Sequence, residues 1–154
     1  LSENREGHLT KTNPTIKNNL KTWLDGVRMI NDTIDILDGY IVNIGIEYDV
    51  VVNPKSNKFA TLRLASKAIE DEFKVQKELG EPLYISDFWS ALKGVEGILD
   101  VKDVRIINKV GAPYSETICD IKEKTSTDGR SIIPPRTYIF ELKYPNVDIK
   151  GNIL

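Results

Sequence analysis

From Tyr40 to Val52, YIVNIGIEYDVVV, every second residue is apolar: Tyr40, Val42, Ile44, Ile46, Tyr48, Val50 and Val52. The positions between them include Asn43, Gly45, Glu47 and Asp49. Successive side chains of a strand point to opposite faces, so this alternation predicts a strand with one buried and one wet face. At about 3.3 Å per residue it spans roughly 40 Å, longer than most strands. Upstream, Ile16, Leu20, Leu24 and Val27 share one face of a helix that opens at Asn13-Pro14, with Trp23 beside them. A short segment, Arg28 to Leu37, leads through Asp38-Gly39 into the strand.

Beyond the turn residues Asn53 to Asn57, a helix is predicted from about Lys58 to Leu79, with Leu62, Ala65, Ile69, Phe73 and Gln76 on one side and Gly80 closing it. Leu83-Tyr84-Ile85 reads as extended, and Ser86 as the N-cap of a short helix that buries Phe88, Leu92 and Val95. Val101 to Lys109 reads as a strand, Glu116 to Lys124 as another, and Ser126 to Gly129 as a turn that makes the stretch from Cys119 to Pro135 a hairpin. Pro134-Pro135 marks a strand end or an edge. Arg136 to Lys143 is the last clear strand, followed by a turn at Tyr144-Pro145-Asn146 and a tail from Val147 to Leu154. This order predicts an α+β fold: an antiparallel or mixed sheet with helices packed on one face, an N-terminal helix and a β-hairpin insertion. Residues 1–13 are polar and aperiodic, and read as a flexible arm or linker.

Composition narrows the function classes. The 154 residues are 40% hydrophobic and 29% charged, with a formal net charge of -2. The sequence pI is near 5.5, which speaks against a nucleic-acid-binding domain. No apolar run reaches the length of a membrane span, and the first residues have no signal-peptide pattern. Cys119 is the one cysteine, which suits a reducing site of synthesis such as a host cytoplasm.

Candidate chemistry is sparse. His8, the single histidine, stands in the polar arm, where a positioned catalytic base is not expected. Cys119 has no cationic neighbour in sequence that marks an activated thiol, and reads as a strand residue. Asp32, Asp35 and Asp38 recur at a spacing that fails the calcium-loop pattern. Gly94-x-x-Gly97 lacks the remaining residues of a phosphate loop. Lys122, Lys124 and Arg130 are interleaved with Glu116, Asp120, Glu123 and Asp128, a poor pattern for phosphate-backbone binding. The reading is therefore of a protein with no catalytic residues, cofactor or metal, and a structural or binding role.

Three stretches carry a resemblance: Asn19 to Val50, Pro82 to Val104, and Tyr138 to Ile153 with its KYPNVDIKG ending. They are similar to the C-terminal part of baseplate wedge proteins of contractile-tailed bacteriophages, within the Baseplate-J-like group. The resemblance implies a structural component of the virion tail baseplate that self-associates as a dimer or ring around the hub and holds neighbouring wedge proteins. It also implies that residues 1–13 link to an upstream domain and that 14–154 form a single assembly domain. Large aromatics and the alternating tail are the expected interface: Trp23 on the helix, then Tyr144, Asn146, Asp148 and Lys150, the tail adding to a neighbour's sheet edge. Trp89 is expected in the core. A small α+β ligand-binding or regulatory module is the alternative, with a pocket between sheet and helices.

Overall fold

A computed structural model describes residues 1–74 and 78–154. The chain forms two compact units, Leu1–Tyr40 and Ile41–Leu154, in place of the arm over 1–13 and the single domain over 14–154 that the sequence predicts.

In the first unit, β1 (Ser2–Glu3) pairs antiparallel with β2 (Leu9–Thr10). The expected arm is thus a small hairpin. Its polar letters make the turn: the Asn4 side chain accepts from the backbone N–H groups of Glu6 and His8, and Gly7 takes a positive φ of 81°. Helix α1 (Pro14–Asp25) follows, capped by Asn13, whose side chain accepts from the Thr15 N–H at 2.8 Å. Asp38 ties the unit together by accepting from the Thr12 N–H at 3.0 Å and pairing with Lys17. Those contacts, Lys17 foremost, hold its carboxyl well below the usual carboxylate range.

The second unit is built on β3 (Tyr40–Val52), with the bounds that its alternation predicts. α2 (Lys58–Phe73) is capped by Asn57, which accepts from the Phe59 and Ala60 N–H groups. The helix does not run to Leu79 as predicted: α2 is capped at Lys74 and Glu78 and Leu79 are not helical, while the predicted residues between, Gln76 among them, lie outside the described residues. Gly80 is in a left-handed conformation, φ 75°, where an added Cβ would meet the Arg136 backbone at 2.9 Å. β4 (Leu83–Tyr84) leads into α3 (Ile85–Lys93). Its N-cap is Tyr84, without a side-chain bond, so Ser86 lies inside the helix and spends its carbonyl on the Ser90 hydroxyl. β5 (Ile98–Asn108) starts earlier than predicted, after Gly97.

The stretch Glu116 to Lys124 is not a strand. Asp120 accepts from the Glu123 N–H at 3.1 Å and caps α4 (Ile121–Lys124). The turn at Ser126 to Gly129 does form, and β6 (Ser131–Ile132) pairs with β4, while a bridge joins Thr125 to Ile132. β7 (Tyr138–Glu141), α5 (Pro145–Asp148) and β8 (Ile149–Ile153) complete the chain.

β3 pairs antiparallel with β5 and parallel with β8, and β7 joins the same sheet beside β3. The sheet is mixed, helices α2 and α3 pack on it, and the fold is α+β. Val42, Ile44, Ile46, Tyr48 and Val50 are completely buried beneath the helices with Ala65, Ile69 and Leu92. Tyr48 crosses β8 at Gly151, its register partner, and its hydroxyl reaches the Leu62 carbonyl at 3.2 Å and the Ser66 hydroxyl at 3.0 Å. A Cβ on residue 151 would stand 2.4 Å from the Tyr48 ring. The predicted free tail is therefore a strand of this chain's own sheet, seated where a glycine leaves room for a tyrosine.

Gly151→Ala is expected to destabilise the protein by about 1–3 kcal/mol, the usual cost of overpacking a tight contact. Lys150→Ala, at the exposed position next door, should fall within about 0.5 kcal/mol of wild type in the same urea melts.

Candidate assembly surfaces

Asn43-Ile44-Gly45 and the stretch from Lys143 to Gly151 meet at one end of the sheet. Asn43, predicted on the wet face, is 1% exposed. Its amide donates to Glu141 Oε2 at 2.7 Å, its side-chain oxygen accepts from the Ser115 N–H at 2.7 Å, and its carbonyl accepts from the Lys109 N–H. The loop after β5 is thereby strapped over a position that a bare alternation leaves in water. Gly45 makes the close approach possible: an added Cβ would stand 2.7 Å from Lys109 Cε and 3.0 Å from the Asp148 carbonyl.

Asp148 was expected at an interface, and the structure corrects this. It is 1% exposed, accepts from the Tyr114 hydroxyl at 2.6 Å and from the Tyr144 N–H at 3.1 Å, and has Lys109 Nζ at 3.8 Å. A carboxylate so enclosed is held by its own chain, because an unpaired buried charge is costly. Tyr144 is half-buried, its ring edge-on to Tyr114 with centroids 5.7 Å apart and Lys143 Nζ over the ring at 5.7 Å from its centroid. Asn146 and Lys150 are exposed. Trp89 is half-buried and packs against the core, with Lys93 beside its ring.

Trp23 belongs to the first unit and is 68% exposed. No residue of α1 is buried, and Ile16, Leu20 and Val27 are exposed as well. Ile16, Leu20 and Trp23 lie at spacings of four and three residues on α1, an apolar seam of the kind two packed helices share, and Val27 follows just past the helix end.

Two further surfaces were not singled out in the sequence. On the sheet face away from α2, Arg105 pairs with Asp49 at 2.7 Å and Asp103 at 2.6 Å and has Glu47 at 3.8 Å, while Asn152 donates to Asp49. Arg105 foremost, then Asn152, lowers the Asp49 carboxyl below its ordinary value. Only the cross-strand register reveals this cluster, which spans β3, β5 and β8. The second surface is a groove of about 520 Å³ between α2 and the start of β8, where Arg63, Ser66, Lys67 and Lys74 face Asn146 and Ile149. The spacing of Arg63 and Lys67, one helical turn apart on the polar side of α2, was the available signal.

The remaining chemistry-bearing residues are placed as follows. Cys119 is buried, outside any strand, and burial pushes its thiol up. Among the described residues no group of three or more His, Cys, Asp or Glu side chains is arranged to hold a metal ion. No helix among them is long and apolar enough to cross a membrane. Comparison with known protein families and with curated proteins found no match for this chain.

The Tyr114 phenol is pushed up to about 12 from an ordinary 10.0, first by its hydrogen bond to Asp148 and then by burial. The folded state therefore holds this proton more tightly than the unfolded chain. Its contribution is complete below about pH 10 and is lost as pH rises through about 12. Tyr114→Phe should remove that component of the alkaline stability loss, read as the difference between wild-type and variant urea melts. Asp148→Ala, which strands two donors, should cost about 3 kcal/mol at neutral pH in the same assay.

Proposed function

We propose that this chain is an assembly domain, the C-terminal domain of a baseplate wedge subunit in a contractile-tailed bacteriophage, working in the virion tail baseplate. In this reading it catalyses no reaction and takes no cofactor. It self-associates as a dimer or ring around the hub and holds neighbouring wedge proteins. The observation that carries the self-association is α1. Ile16, Leu20 and Trp23 form one apolar seam on it, with Val27 just beyond its end, and each of the four is between 45% and 71% exposed. Such a helix gains little from its own unit, and a second copy of the same seam is a self-complementary occupant. Trp23 supplies the largest contact area and is the expected anchor.

The resemblance adds a second support. Its diagnostic letters have structural duties in the second unit: Asn43 and Gly45 admit the loop and the α5 turn, Asp148 closes the turn, and Gly151 admits Tyr48. The same placement moves the proposed interface away from the tail. Asn146–Leu154 contains β8, so deleting it removes a sheet strand and reports on folding before it reports on assembly. The alternative, a small ligand-binding module, would draw on the groove beside α2 or on that lined by Ile85, Trp89 and Arg130, of about 320 Å³.

Light scattering after size exclusion tests the reading. Wild type is expected to run as a dimer or larger ring. Leu20→Glu with Trp23→Glu should return it to a monomer with an unchanged thermal melt, since neither residue is buried. A wild-type monomer at every concentration, or a double variant of unchanged mass, would overturn the self-association.

A further inference from the structure

β8 is an edge. It pairs with β3 on one side, and among the described residues no strand lies on the other. The register fixes which backbone groups remain. Val50 is opposite Ile153, and its carbonyl accepts from the Leu154 N–H at 2.9 Å. In a parallel ladder Lys150, Asn152 and Leu154 therefore turn their backbone groups to β3, and Gly151 and Ile153 turn theirs outward. Ile149 also faces outward, but its N–H is taken by the Pro145 carbonyl. Exposed edges are commonly blunted by proline, a bulge or a covering element. Among the described residues none of these guards the outward backbone groups of Gly151 and Ile153.

Three cations stand along this edge. Arg63 and Lys67 project from α2 into the groove that runs to Ile149, on the helix side of the sheet. Lys150 is exposed on the opposite side, level with Glu47. Among the described residues none of these three cations forms an ion pair. The acid in the groove, Glu70, is already engaged by Lys74 at 2.9 Å, so it does not neutralise them.

We infer that the outer edge of β8 is a docking site for an extended, acidic segment of a partner protein. The segment adds as a strand beside β8, taking the outward N–H and C=O groups of Gly151 and Ile153. Its side chains alternate between faces, so carboxylates on the helix side meet Arg63 and Lys67, and those on the other side meet Lys150. Arg63 offers the planar fork that matches a carboxylate. The ladder supplies strand geometry and the cations supply the choice of an acidic sequence. This surface belongs to the second unit alone and does not involve α1, so its failure and the failure of self-association are separate results.

The probe is a fluorescein-labelled peptide of about eight residues alternating valine and glutamate, a typical strand length. Fluorescence anisotropy should show saturable binding that weakens with salt, with the valine–lysine counterpart inert. Arg63→Glu with Lys67→Glu, at exposed positions, should weaken binding about tenfold or more while the thermal melt is kept. Peptides N-methylated at alternate positions, one in each register, keep every charge but present a ladder to only one side. At least one of them should lose binding. If both N-methylated peptides bind as well as the parent, the segment is held by charge alone and the strand docking is wrong. If the charge-reversed variant binds as tightly as wild type, or the lysine peptide binds equally well, the acidic specificity is wrong.

Discussion

The second unit depends on one contact, the Tyr48 ring crossing the backbone of Gly151. Tyr48 is fully buried and sends its hydroxyl to α2, so it fixes the helix layer over the sheet. It can do so only because residue 151 has no Cβ. The same contact sets β8 in register beside β3 and makes the end of the chain part of the sheet. Strand, helix and chain end are therefore coupled through a single packing event between residues far apart in sequence. Close-packed interiors tolerate little change of volume at such a point.

The polar end of the sheet applies the same logic with hydrogen bonds. Asn43 and Asp148 are buried polar residues, and each has its partners: Glu141 and Ser115 for the first, Tyr114 and Tyr144 for the second. Satisfied networks of this kind specify one arrangement, since any alternative leaves a donor or carboxylate unpaired in low dielectric. Among the described residues, what stays open is the apolar side of α1 in the first unit, and in the second the outer side of β8 with three cations that form no ion pair.

Much of the scaffold was legible in the sequence. β3 reads directly from its alternation, because a half-buried strand leaves a period of two. The starts of α1 and α2 read from Asn13-Pro14 and Asn57, because caps are local chemistry. The parallel pairing of β8 was not legible, since it joins Ile46 to Ile149 without any local signature. Asn43 reads as wet and Asp148 as an interface residue because polarity suggests exposure, whereas Glu141, Ser115 and Tyr114, which bury them, are distant in sequence. The Glu116 to Lys124 stretch misleads because the Asp120 cap, which accepts from the Glu123 N–H, turns the chain into a helical turn in place of a strand. The polar start was read as an arm, although Asn4 and Gly7 carry the signal of a tight turn.

Ile149–Ile153 form an edge strand of the chain's own sheet, with one side bonded to β3 and, among the described residues, the other side open. Amide hydrogen exchange of the isolated protein, resolved residue by residue along β8, tests both halves at once. The N–H groups of Lys150, Asn152 and Leu154 should be protected together with those of β3, and those of Gly151 and Ile153 should exchange quickly. Rapid exchange at all five would mean that the tail is not in the sheet. Uniform protection at all five would mean that the outer edge is already covered.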